Sequence, residues 1–165
     1  MVHASVTRVD VRYNEIAGDG ASQLSAAVLS NAKIEVFNKI PIKEMRTDSL
    51  TELNLFAANI STVGGMVVAG LLPAMASVTE LNLFNNTIKD QGVMAICEAV
   101  QSNKETKLAS LNVGYNGIGP AGAKSVAAMA AAIPSLTRLE VSRNYLNPSA
   151  ASSLTRRKRT SLAGA

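Results

Sequence analysis

The sequence predicts an α/β fold built by repetition, a solenoid of strand–turn–helix units. Three observations carry that prediction: the pattern LxxLxLxxNxL recurs along the chain, apolar residues four apart follow it, and the apolar content is aliphatic rather than aromatic. Self-similarity at a fixed period is the sequence mark of repeat architectures and decides the fold before any local reading. The pattern appears as VTRVDVRYNEI from residue 6, LTELNLFAANI from 50, VTELNLFNNTI from 78, LASLNVGYNGI from 108 and LTRLEVSRNYL from 136. Starts from 50 onward lie 28, 30 and 28 residues apart, and the 44 residues between 6 and 50 hold one degenerate unit, NAKIEVFNKIPI, placed at about 31–49. This gives about six units over 6–154, between a frayed N-terminus at 1–5 and a basic disordered tail at 155–165.

Each unit opens on a strand. Alternation within ELNLF sends Leu81 and Leu83 inward and leaves Glu80, Asn82 and Phe84 facing outward. A turn follows, with Asn14, Asn86, Asn116 and Asn144 at position nine, counting the first residue of each pattern as one. Turned inward, these amides are expected to form a structural ladder, satisfying backbone groups of adjacent coils that would otherwise be buried unpaired. Ala58 interrupts the ladder, so an asparagine introduced there is expected to add stability. The helix comes last. Position nineteen is Leu24, Val68, Ile96, Val126 and Leu154, and position twenty-three is Val28, Leu72, Val100 and Ala130, one apolar face at helical spacing. Position thirteen, just ahead of it, is Gly18, Thr62, Asp90, Pro120 and Pro148, residue types that start helices as caps or as a first-turn proline.

Composition agrees. With 165 residues, 47% apolar and 17% charged, the chain has enough apolar content for one continuous core, while 4% aromatics and no tryptophan suit thin, regularly stacked layers. The net charge of +4 and pI near 9.4 do not describe the body. Four basic residues form one run, Arg156, Arg157, Lys158 and Arg159, and without it 12 basic residues stand against 12 acidic ones. Nucleic acid is therefore not an expected partner. The single cysteine, Cys97, allows no internal disulfide and fits a reducing compartment. Charged residues from Arg8 to Glu15 interrupt what a signal peptide needs as an apolar run. Residues 60–78 carry no charge, yet their glycines, Pro73 and hydroxyls dilute the apolarity, and the repeat register gives them a helix rather than a membrane span.

On these residues the chain resembles the leucine-rich repeat superfamily in its long-unit form, that of ribonuclease inhibitor, the receptor parts of NOD-like proteins and the Ran GTPase-activating protein. The resemblance covers about residues 6–154. It implies a right-handed βα superhelix, a short horseshoe arc with the parallel sheet on the concave face and helices on the convex face, and a cytoplasmic protein-binding role. Nuclear entry is open to it through the basic run. The chain departs from ribonuclease inhibitor in having one cysteine, and from the Ran activator in having a basic rather than acidic tail.

Functional candidates lie on the outward strand positions. Position seven carries Arg12, Phe37, Phe56, Phe84, Gly114 and Ser142, with the second unit counted from Asn31, and position eight adds Tyr13 and Tyr115. Strands about 4.8 Å apart would stack Phe37, Phe56 and Phe84 into an aromatic ladder. Such a ladder either stiffens the sheet or anchors a partner, and its clustering on the face that solenoids use for binding favours the second reading. Charge is zoned around it: Arg8, Arg12 and Lys33 at one end, Glu52 and Glu80 in the centre, Arg138 and Arg143 at the other. A GTPase-activator-like or other regulatory role through Arg12 or Arg143 is the alternative, and a piece of a larger receptor or scaffold is a third reading. The chain is expected to be a monomer or to associate end to end, because no capping segment precedes its first unit.

Catalysis, metals and cofactors are not expected. His3 is the only histidine, and no nucleophile–base pair or metal-ligand spacing assembles around it. Gly117, Gly119 and Gly122 spell GxGxxG with Glu140 further on, which in isolation is a dinucleotide fingerprint. Gly122 is better explained as the position-fifteen glycine shared with Gly20, Gly64 and Gly92.

Overall fold

The computed structural model describes residues 6–146; the basic run, His3 and position nineteen of the last unit lie outside them. Strands and helices alternate: β1 (Arg8–Val9), α1 (Gly18–Ser30), β2 (Val36–Phe37), α2 (Ile42–Arg46), β3 (Glu52–Asn54), α3 (Thr62–Leu71), β4 (Glu80–Asn82), α4 (Lys89–Ser102), β5 (Ser110–Asn112), α5 (Pro120–Ala132) and β6 (Arg138–Glu140). A 3₁₀ turn at Leu72–Ala74 closes α3. All pairing between these strands is parallel and joins sequential neighbours, in two sheets, β1-β2 and β3-β4-β5-β6. Packed helices need about 8–10 Å between axes whereas strands need about 4.8 Å, so a stack of such units curves toward its sheet.

Position one residues Ile34, Val78 and Leu108 are buried, as are Leu53, Leu81 and Leu111 at position four and Leu55, Leu83 and Val113 at position six. In α3, eight of ten residues are buried. It packs between α1 and α4 and needs apolar residues all round, which accounts for the uncharged stretch. No helix among the described residues is long and apolar enough to cross a membrane. Helices α3 and α4 meet backbone to backbone at Gly65 and Gly92: a Cβ on Gly65 would stand 3.2 Å from the Gly92 Cα, and one on Gly92 3.3 Å from the Thr62 carbonyl oxygen.

The second unit corrects the sequence register. Val9 pairs with Phe37, and Val9 is a position-four, inward residue, so this unit counts from Ile34 rather than from residue 31. Successive units then start at 6, 34, 50, 78, 108 and 136, and the irregularity is concentrated in a second unit only 16 residues long. A shift of three residues exchanges the faces of a strand. Phe37 accordingly is completely buried instead of standing on the outward row, and so is Ile40, the true position-seven residue.

The short unit also divides the sheet. After Phe37 the chain turns back on itself: Phe37 N–H donates to the Ile40 carbonyl at 3.1 Å and Ile40 N–H to the Phe37 carbonyl at 2.8 Å. Asn38, in the turn, is left-handed at φ 55°, and its buried Nδ2 has no hydrogen-bond partner among the described residues. That hairpin uses the β2 backbone that would otherwise meet β3. With α2 five residues long, α1 packs directly on α3. Arg46 at the end of α2 ties the first two units together, donating to the carbonyls of Leu29 (3.1 Å), Asn31 (3.1 Å), Ala32 (3.2 Å) and Ile34 (2.9 Å), where a cation also complements the C-terminus of α1.

Cys97 is 1% exposed on α4, and burial pushes its thiol up to about 12. The thiolate is the reactive form. Native protein at pH 8 is expected to leave Cys97 unmodified by a thiol reagent over minutes, with one thiol titrating once denaturant is added; fast modification of the native state would show that α4 opens readily.

Candidate functional site

The turn that ends each strand positions the site. Its position-eight residue is left-handed in five units: Tyr13 (φ 66°), Ala57 (47°), Asn85 (57°), Tyr115 (54°) and Arg143 (56°). This reversal aims position nine into the stack. Asn86 Oδ1 accepts the Ile60 N–H at 3.0 Å while its Nδ2 donates to the carbonyls of Leu55 (2.9 Å), Leu83 (3.0 Å) and Phe84 (3.3 Å). Asn116 accepts from Ile88 N–H at 3.4 Å and donates to Leu83 (2.8 Å) and Gly114 (3.0 Å). Asn144 accepts from the N–H groups of Asn116 (2.9 Å) and Ile118 (3.0 Å) and donates to Val113 and Val141, both at 3.0 Å. Each of these rungs binds its own turn to the preceding unit. Asn14, with no described unit before it, is exposed and donates only to Val11 (3.0 Å) and Arg12 (3.4 Å) of its own turn.

Three rings make one stripe across β3, β4 and β5, and they are not the three phenylalanines. Phe56 and Phe84 stack at 5.7 Å with planes 3° apart, and Tyr115 continues the stack 6.3 Å from Phe84. Phe37 is excluded by its inward position, and Tyr115 takes the third place. Gly114 makes room for the stack: a Cβ there would lie 2.9 Å from Phe84 Cδ2. Phe56 is 57% exposed and Tyr115 53%, with Phe84 half-buried between them.

Position three forms the charged row. Strand register places Glu52 beside Glu80, Glu80 beside Ser110 and Ser110 beside Arg138, with Arg8 on β1 across the break. All four charged groups are exposed. Tyr13 and Arg12 sit at the far end, in the turn after β1: Arg12 grips Asp10 in a two-point ion pair closing to 2.7 Å, and its guanidinium lies 5.8 Å from the Tyr13 ring centre. Hydrogen bonding to Arg12 holds the Asp10 carboxyl down at about 2. Arg143 is exposed in the turn after β6. Among the proposed contact residues, then, Phe56, Phe84, Tyr115, Glu52 and Glu80 come together, while Tyr13, Arg8 and Arg12 lie at the separate β1-β2 sheet and Arg138 and Arg143 at the opposite end.

Sequence reasoning missed position five. Asn54, Asn82 and Asn112 lie between the acidic row and the rings, and each Oδ1 accepts the position-seven N–H of its own strand at 3.0, 3.1 and 3.0 Å. The recurrence of asparagine at this position was the available signal. Asp90 also has another role than starting its own helix. Its carboxylate reaches into the next unit and accepts the N–H groups of Gly119 (2.7 Å) and Gly122 (3.1 Å) at the start of α5. These are the amides that a dinucleotide phosphate would need.

A family model described as Leucine Rich repeat matches residues 2–25, 74–97 and 104–127, each match beginning four residues ahead of a strand pattern. The chain carries leucine-rich repeats over these residues. No curated protein matches the sequence as a relative. Among solved structures, this leucine-rich repeat chain is similar to Leiomodin-1 Actin-Binding Site 2, with a TM-score of 0.62 and 20% identity over 72% of this chain and 70% of that one. At that identity the likeness concerns the repeat fold.

Proposed function

We propose that this leucine-rich repeat chain is a protein-recognition module that holds a partner on its concave face, with Phe56, Phe84 and Tyr115 as anchors and Glu52 and Glu80 beside them. The exposed three-ring stripe is the observation that supports this reading, because aromatic side chains dominate the energetics of protein interfaces and a solenoid offers its inner face as one continuous surface. The neighbour named as an actin-binding site is a related fold in a protein-binding setting. A role in sheet stiffness alone would not require two of the rings to remain more than half exposed.

Affinity capture with the intact protein, followed by the same capture with Phe84→Ala, tests this. The variant is expected to retain its partner at least about tenfold less well, while losing about 1–2 kcal/mol of stability from broken ring contacts and the half-buried part of the side chain. A loss of stability well beyond that, with capture unchanged, would reduce the stripe to a structural device.

A further inference from the structure

We propose that the strand face takes an extended segment of a partner protein, with a lysine or arginine over Glu52 and Glu80 and an apolar side chain four residues away on the Phe56, Phe84 and Tyr115 stack; this rests on the concave-face reading above. Glu52 and Glu80 are direct neighbours in register, both exposed, and neither has a cation partner among the described residues. Like charges placed side by side in a sheet repel. A bound cation relieves that repulsion, and Arg138, two strands from Glu80 on the same row, disfavours the cation at that end.

The asparagine row selects the conformation of the segment. With Oδ1 committed to the strand, the Nδ2 groups of Asn54, Asn82 and Asn112 make no hydrogen bond among the described residues. They are donors in search of acceptors. An extended backbone presents its carbonyls to such donors, whereas a helix spends its own internally. Along each strand, positions three and seven are four residues apart, about 13 Å, so an extended segment laid along the strands spans from the carboxylates to the rings in four residues.

Panning a random twelve-residue peptide library on the intact protein tests the proposal. Recovered peptides are expected to be enriched in Lys or Arg with a large apolar residue four positions away. Their binding is expected to fall about tenfold in the Glu52→Gln, Glu80→Gln double variant. It should also fall in Asn82→Asp, which keeps the acceptor oxygen and removes the donors; Asp10 already shows this turn built on aspartate, accepting the Arg12 N–H at 3.1 Å. Binding that is unchanged or tighter in Asn82→Asp would overturn the donor role, since the added negative charge alone favours a basic peptide. Peptides without a basic preference that are nevertheless lost in Phe84→Ala would overturn this inference and leave the concave face as the binding surface. Peptides indifferent to all of these substitutions would overturn both. Stronger binding of a synthetic peptide of residues 153–165 than of any library peptide would assign the face to the chain's own basic run and overturn a separate partner.

Discussion

Replacing Phe37 with alanine is expected to destabilise the fold by about 3–5 kcal/mol, the cost of emptying a fully buried aromatic site. Phe56→Ala is expected to cost less than about 1 kcal/mol, as most of its ring already faces water. The contrast is informative because both residues stand before an amide or small residue in similar local sequences, FNK and FAA, and only pairing distinguishes them. Phe37 opposite Val9 fills the inside of the second unit, where α2 is too short to supply bulk from the helix side. Denaturant unfolding of the two variants measures the difference directly. The reverse ranking would show that the second unit counts from residue 31 after all.

Asn86→Ala is expected to cost about 1–3 kcal/mol, because one substitution strands the Ile60 N–H in a buried turn between two units and leaves the Leu55 carbonyl to the Ala58 N–H alone and the Leu83 carbonyl to Asn116 alone. The converse change, Ala58→Asn, is expected to lower stability by about 1–3 kcal/mol rather than raise it, which reverses the expectation from sequence. A rung needs an acceptor at position six of the preceding unit, and there that residue is Lys39, inside the hairpin between Phe37 and Ile40. Ala58 is 3% exposed, and its N–H already closes on the Leu55 carbonyl at 3.3 Å. An amide at that place would be buried with unmet donors. Thermal unfolding of both variants decides the matter: a stabilised Ala58→Asn protein would mean that the ladder is independent of the sheet beneath it.

Where the repeat is regular, the strand–turn–helix order, the inward leucines and the position-nine asparagines were legible, because periodicity alone gives each side chain a direction. The second unit was not. Its strand has few repeat residues to fix the count, and in a strand an odd error of register exchanges inside for outside at every position, which put Phe37 on the wrong face. The stripe was therefore recognised with two correct rings and one wrong one: Tyr115 reaches it only because the left-handed turn and the absent side chain at Gly114 bring it over Phe84, and neither effect is written in an alternation pattern. Asp90 likewise reads as a local cap, and its true partners lie 29 and 32 residues downstream.

The seam at the second unit has a consequence for how the molecule comes apart. Stability in a solenoid is passed between nearest neighbours, and each junction couples as strongly as the bonds that cross it. From β3 to β6 every junction carries strand pairing, and the last three turns add asparagine rungs; between β2 and β3 the strands do not pair and the rung is absent. The first two units are therefore held to the rest by the packing of α1 on α3 and by the Asp48 carboxylate, which accepts the Ser77 N–H and hydroxyl at 3.0 Å, rather than by strand pairing. Denaturation is expected to begin at that junction, and the stretch that carries the aromatic stripe, the asparagine row and the paired carboxylates is expected to unfold last.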